Sequence, residues 1–420
     1  MNFNDRIQNF FHTGYKTDSQ AIIISCYFNP QNSLYRKKAF QQFYSTIKHL
    51  NHHIIECCIG KGEEKLTDYE LIGAGYDNKN FTRVKTSQLL WHKETLLNKV
   101  IKSLDPKYKY IFWLDCDVIF TNENWLTDGV KKLSSGYNLI QPFEYCFHLE
   151  KDETSPSSDY LAQIGELDLT GQRHPMMWRS FAANWEDQKH NATSLDYDTH
   201  GHVGFAWGAR REVLTKCPLY DHALIGGADH IIAHAGVGQI PHNCITKSFT
   251  ENIEEVNLWS ERFYNAVKGK VGYCKGELFH IWHGDVEKRD YFRRVKDFTP
   301  KTKNIRKRDD NGFYITEDKQ DELYMQNYFK RREIIPQDSL LDDLLNPLNP
   351  LSPIYIFGDQ YHYIFDDQYQ NDLQQNYPQD DYSQNNLPSS EQSQQNDSTI
   401  IDSTFINQDI ARDSSTQSFS

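Results

Sequence analysis

Asp115-Cys-Asp117 stands at the end of an apolar run, Tyr110-Ile-Phe-Trp-Leu114. In an extended chain alternate side chains point to the same side, so the two carboxylates can converge on one divalent ion together with a diphosphate. That suits a leaving group that departs as a nucleoside diphosphate. Its developing charge must be neutralised, and a metal ion does this without moving a proton. A pair with this spacing is common as two solvated turn aspartates. Its place after an apolar strand favours a functional reading.

Phe279-His280-Ile-Trp-His283-Gly-Asp285 offers two imidazoles separated by two residues, which can reach one ion from a turn or a helix. Carboxylate plus imidazole suits Mn²⁺ and related ions better than a dedicated zinc cage. Without the acidic pair upstream, one core and one surface histidine would be the simpler account. In Gly226-Gly-Ala-Asp229-His230 the glycines let the backbone turn sharply near a ligand. Asp229 then lies at or near the start of an apolar helical stretch, Ile231-Ile-Ala233. It is read either as a helix cap or as a base that deprotonates an acceptor hydroxyl. Trp91-His-Lys93-Glu94 precedes the acidic pair, and Lys93 can reach a phosphate oxygen or belong to a solvated helix face.

The elements that must hold these residues follow from periodicity. Strands are expected at Ala21–Cys26, His53–Ile59 and Tyr110–Leu114, with helices at Tyr35–Leu50 and Gln88–Leu104. Alternating strands and helices predict an α/β domain with a central, mostly parallel sheet flanked by helices. In such sheets ligands bind beyond the carboxyl ends of the strands, where Asp115 and Asp117 lie. Residues 140–200 mix Pro, Ser, Asp and Trp and are expected to form loops and short helices that could cover a cleft. Arg289–Ile335 is charged and helical in part.

The net charge of −13 is unevenly spread: from Asp366 onward ten acidic residues face only Arg412. The remainder is near neutral, which excludes the basic domain that nucleic-acid binding requires. The Gln/Asn/Ser/Asp-rich stretch 366–420 has too few apolar residues to offset chain entropy and is expected to be disordered, after a linker at 336–365. Residues 1–20 read as a polar leader without a signal peptide, and no segment approaches the ~20 apolar residues of a membrane span. A cytoplasmic protein with reduced, mostly buried thiols is expected from eight cysteines without paired zinc spacing.

Taken in order, the motifs resemble the nucleotide-sugar glycosyltransferases of the GT-A (Rossmann-like) fold, of the β-1,4-galactosyltransferase type and its bacterial relatives. The resemblance spans about residues 20–335 and rests on six segments. They are Trp91-His-Lys…Leu-Leu-Asn98, Ile111–Asp117, Gly201–Leu214, Ile225–Asp229, His280–His283 and the closing stretch Arg289–Arg332. It implies a donor-binding half (21–140) and an acceptor and catalytic half (141–335). It implies Asp117, His280, His283 and Asp115 as metal ligands for Mn²⁺ or Mg²⁺, and Asp229 as the base of an inverting displacement. It implies Asn29, Lys93, Asp115, Trp207 and Gly227 as donor contacts. The expected donor is a nucleotide-sugar, UDP-sugar favoured, and the acceptor a glycan or other hydroxyl. Ala228 stands where the family has Glu, and His280 where it has Met. The alternatives are a metal-dependent hydrolase or phosphoesterase, or a non-catalytic glycan-binding protein on the same fold.

Overall fold

The structure, a computed structural model, describes residues 14–30, 32–61, 64–65, 69–71, 76, 79–151, 177–187, 200–239, 245, 252–284, 297–298 and 302–331. The first half runs β1 (Ala21–Tyr27), α1 (Leu34–Ile47), β2 (His52–Lys61), β3 (Glu64–Lys65), β4 (Phe81–Thr86), α2 (Lys93–Ser103), β5 (Tyr110–Leu114). The middle runs β6 (Val118–Phe120), α3 (Trp125–Ser134), β7 (Leu139–Gln141), β8 (Tyr145–His148), β9 (Met177–Arg179), α4 (Phe181–Glu186). Then follow β10 (Ala206–Arg210), α5 (Arg211–Lys216), α6 (Ala228–Gly236), α7 (Ile253–Val267), β11 (Val271–Tyr273), β12 (Glu277–His280) and α8 (Lys319–Arg331).

Alternation within the strands dictates the layers. In β1, Ile22 and Ile24 enter one buried cluster, while Ala21, Ile23 and Tyr27 enter another. β5 repeats the pattern, with Ile111 and Trp113 on the first side and Phe112 and Leu114 on the second. Strands buried on both faces read as unbroken apolar runs, which is why these two were legible in the sequence. The first face is covered by α2 (Leu96, Leu97, Val100, Ile101), α6 (Ile231, Ile232) and α7 (Val256, Trp259, Phe263). The second is covered by α1 (Phe40, Phe43, Ile47) and α3 (Trp125, Leu126, Leu133). Full burial of each such side chain contributes about 1.5–3 kcal/mol.

Among the described residues the main sheet has eight strands in the order β11-β7-β10-β5-β1-β2-β3, with β4 also paired to β2. The pairs β4·β2, β2·β1, β1·β5 and β11·β7 are parallel, and β10 runs antiparallel between β5 and β7. The expected mostly parallel α/β sheet is thus present, with two reversed strands that the sequence did not announce, β10 and the two-residue β3. Phe112 is seated where β10 and α3 approach: a Cβ on Gly208 would come within 2.5 Å of its ring and one on Gly129 within 2.7 Å. A second, four-stranded sheet, β6-β12-β8-β9, stands at the carboxyl ends of the first.

Two expected boundaries move. The helix expected at Gln88–Leu104 begins at Lys93, because the preceding residues are held by other parts of the chain. Trp91 N–H donates to the Leu224 carbonyl, and the Gln88 side chain accepts Thr316 N–H. Tyr15, inside the stretch read as a polar leader, is buried edge-to-face against Trp125 and bonds the Phe120 backbone. The segment 302–316 is tied to the core through His222. Its Nδ1 lies 3.0 Å from Glu255 and its Nε2 2.9 Å from the Ile305 carbonyl, and Arg306 pairs with Glu255.

The seven described cysteines are free, six of them buried. No helix among the described residues is long and apolar enough to cross a membrane. All described residues belong to one compact unit, Met1–Leu345. The expected linker and tail, the cleft-covering stretches 152–176 and 188–199 with Asn191-Ala-Thr193, Asp285, and Tyr291–Arg294 lie outside the described residues.

Candidate active site

β5 ends at Leu114, so Asp115-Cys-Asp117 is a turn between β5 and β6 and not a continuing strand. The alternation that would point both carboxylates one way therefore does not apply, and the two turn to different partners.

Asp117 faces the small sheet. β12 pairs with β6 so that His280 sits opposite Val118, and Ile281 N–H donates to the Asp117 carbonyl at 2.8 Å. This register brings in both imidazoles. His283 Nε2 lies 3.1 Å from Asp117 Oδ2, and His280 Nε2 3.8 Å from Oδ1. One ligand atom from each of Asp117, His280 and His283 lies within 4.8 Å of the others. The histidines reach this point from the last residue of a strand and the coil after it, not from a helix. Asp117 is 8% exposed, and its Oδ1 is buried without a hydrogen-bond partner. Burial alone would raise its pKa, but His280, His283 and Arg36 outweigh that and hold the carboxyl well below its ordinary range. A buried carboxylate with an orphaned oxygen beside two imidazoles fits a divalent cation.

Asp115 faces α2. Lys93 Nζ is 2.7 Å from Asp115 Oδ1 and 3.3 Å from Asp229 Oδ2, bridging two carboxylates that are 29% and 24% exposed. Burial would strip the ammonium of its proton, but Asp115 and Asp229 more than reverse that and keep Lys93 charged. Glu94, 3% exposed, is pushed up by burial and by Asp229 and Asp115, with Lys93 opposing. Burial likewise raises Asp115, with Asp229 and Asp117 adding to it and Lys93 opposing. Asp115 is not in the three-residue cluster.

Asp229 is not a helix cap. The N-cap of α6 is Gly227, and no side chain caps that end. Gly226 and Gly227 have φ of +92° and +95°, a left-handed pair that lets the helix start beside Lys93. The Asp229 carboxylate is thereby turned towards Lys93 and, in part, towards solvent.

Phe205 joins the two corners. It adopts φ +77°, which costs a non-glycine residue about 1–2 kcal/mol. In that conformation its carbonyl accepts Asp115 N–H at 2.7 Å. Its ring stacks on His202 at 4.1 Å and on His280 at 4.9 Å. The hydrogen bond and the stacking hold the Asp115 backbone and the His280 ring, and such contacts keep Phe205 in its strained conformation. Phe205, His202 and His148, whose ring is 4.7 Å from His280, were not singled out from the sequence. No local signal marks them, because they meet only through the pairing of the two sheets.

Two expected donor contacts have other employment. Trp207 is 1% exposed in the core, and its indole N–H donates to the Val203 carbonyl. Asn29 is buried, bonding Ser33 and Glu70. Neither presents a free polar edge to the cleft.

No protein-family model matches the chain, and no curated protein does. Among solved structures it is similar to S. aureus TarS 1–349 in complex with UDP, at TM-score 0.32 and 10% identity, covering 66% of this chain and 64% of that one. The chain thus spans just under two thirds of that structure's length. It is similar to M. tuberculosis glucosyl-3-phosphoglycerate synthase with Mn²⁺, UDP-glucose and phosphoglyceric acid, at TM-score 0.33 and 11% identity, covering 69% and 81%. It is similar to the catalytic domain of Drosophila β1,4-galactosyltransferase 7 with xylobiose, at TM-score 0.23 and 11% identity, covering 51% and 58%. These neighbours are GT-A glycosyltransferases, the class the ordered motifs resemble. Similarity this slight leaves the activity of this chain to its own site.

Proposed function

We propose that the chain is a metal-dependent glycosyltransferase that moves a sugar from a nucleoside-diphosphate donor, UDP-sugar favoured, to an acceptor hydroxyl with inversion. The observation that carries this is the juxtaposition of two charge centres at the carboxyl ends of the parallel strands of one mostly parallel sheet. One is a cation-ready cluster of Asp117, His280 and His283, and the other a carboxylate, Asp229, held by Lys93 and partly open to solvent.

Asp117, His280 and His283 would hold Mn²⁺ or Mg²⁺, which when bound supplies positive charge to the departing diphosphate. Asp229 would accept the proton of the attacking hydroxyl as its oxygen bonds the anomeric carbon and the bond to the diphosphate breaks. Lys93 would orient Asp229 and Asp115 by bridging them. Phe205 would keep His280 in place through its ring and Asp115 through its carbonyl. A metal-dependent hydrolase with two ions would need a second ligand cluster, and the described residues contain one.

The test is release of nucleoside diphosphate from a panel of UDP- and GDP-sugars with Mn²⁺, before and after chelation, in the wild type and Asp117→Ala. Release that needs the metal and is lost in the variant supports the reading. Metal-independent release, or no donor turned over and no nucleotide bound, removes it.

A further inference from the structure

Two cations of the site, Lys93 and Arg36, differ in their situations. The charge of Lys93 is already taken up by Asp115 and Asp229. Arg36 lies in the first turn of α1, a turn seated directly on the segment that carries both imidazoles. Tyr35 meets Trp282 edge-to-face at 4.8 Å, and Ala39 packs with Ile119 and Ile281. Arg36 is close enough to Asp117 for each to favour the other's charged form. Yet its guanidinium makes no ion pair within 4 Å and no side-chain hydrogen bond among the described residues, and its Nε is buried without a partner.

A guanidinium cannot lose its proton to escape this position. A buried donor left unmet costs about 1–3 kcal/mol. Were Arg36 only the counter-ion of Asp117, closing the remaining gap would recover that cost. We propose instead that Arg36, and not Lys93, is the cation that binds the phosphate oxygens of the donor's diphosphate. This rests on the transferase reading and adds the anion-binding half of the site to it. The division of labour follows from charge. Asp117, His280 and His283 present lone pairs to a cation, and Arg36 beside them presents a planar fork of donors, which matches phosphate geometry. Lys93 is then a positioning residue for the two carboxylates it bridges.

The test measures binding of UDP and GDP, and of uridine and guanosine, in saturating Mn²⁺, to wild type, Arg36→Gln and Arg36→Lys. Mn²⁺ affinity is followed separately by electron paramagnetic resonance. Loss of a charged hydrogen bond predicts that Arg36→Gln weakens the diphosphate about ten- to a hundredfold. Nucleoside and Mn²⁺ affinities should stay within about threefold, and Arg36→Lys, which keeps the charge and guards against misfolding, should recover part of the loss. Unchanged diphosphate affinity in Arg36→Gln, or an equal drop for nucleoside and diphosphate, overturns the proposal while leaving the transferase reading intact. A wild type that binds Mn²⁺ but neither diphosphate overturns both.

Discussion

Two corners of the site use the same kind of residue to opposite ends. Asp117 faces imidazoles across a junction of two sheets and keeps one oxygen unpaired, an arrangement open to a cation. Two residues earlier, Asp115 faces an ammonium that it shares with Asp229, an arrangement already closed by a cation of the chain itself. A carboxylate's role is therefore set by what the fold brings opposite it and not by its motif. On the proposed reading the Asp117 corner would receive charge, and the lysine corner would hold carboxylates still.

The largest effect should come from the metal corner. Asp117→Ala or His283→Ala should abolish Mn²⁺ binding and lower donor turnover by at least about 10³-fold, the scale of losing a preorganised electrostatic group. Retained Mn²⁺ binding in Asp117→Ala would dissolve the distinction between the corners. Next, Asp229→Asn should leave Mn²⁺ and nucleotide binding unchanged and lower transfer about a hundredfold or more, the range of a lost general base. Transfer close to wild type would mean that Asp229 is not the base.

The lysine corner makes its own prediction through stability. Lys93→Met leaves Asp115, Asp229 and Glu94 without their shared cation. It should cost about 2–4 kcal/mol in urea unfolding, below a fully buried pair because two of the carboxylates are partly exposed. Adding Asp115→Asn should recover part of this, and Mn²⁺ affinity should barely move in either variant. A loss of metal binding in Lys93→Met would show that the corners are one unit.

The smallest effect lies away from both, at the clamp on segment 302–316. Burial would raise Glu255, but His222 and Arg306 hold it down at about 2, from an ordinary value near 4.5. A lowered carboxyl stabilises the fold above its unfolded value and loses that contribution as pH falls towards 2. Wild type should therefore lose stability between about pH 4.5 and 2. Glu255→Gln should be less stable at neutral pH, by about 1 kcal/mol for a partly exposed pair, with a flatter acid limb in thermal melts.

The strands of the sheet centre were legible because burial on both faces leaves a continuous apolar run, as in Ala21–Tyr27 and Tyr110–Leu114. β4 was missed because four of its six residues are only half-buried and Thr-Arg-Val-Lys shows no apolar run. In the site, Asp115, Asp117, Asp229, His280, His283 and Lys93 were all singled out by residue type and by their place beside apolar elements, glycines or one another. Arg36 carried one available signal, a basic residue in the first turn after the first strand, but without the packing of that turn on the segment that carries the imidazoles it looks like any helix-surface arginine.

Local sequence determined which segments are strands and helices, and which of them end in acidic, glycine or histidine residues. Those properties depend on periodicity and on backbone preferences within a few residues. Pairing was decided by the tertiary structure alone. Lys93 meets Asp229 across 136 residues of chain, and Asp117 meets His280 and His283 only because β6 and β12 align in one register. Such contacts are set by how strands stack and helices cover them, and a shift of one residue in that register would turn His280 to the other face.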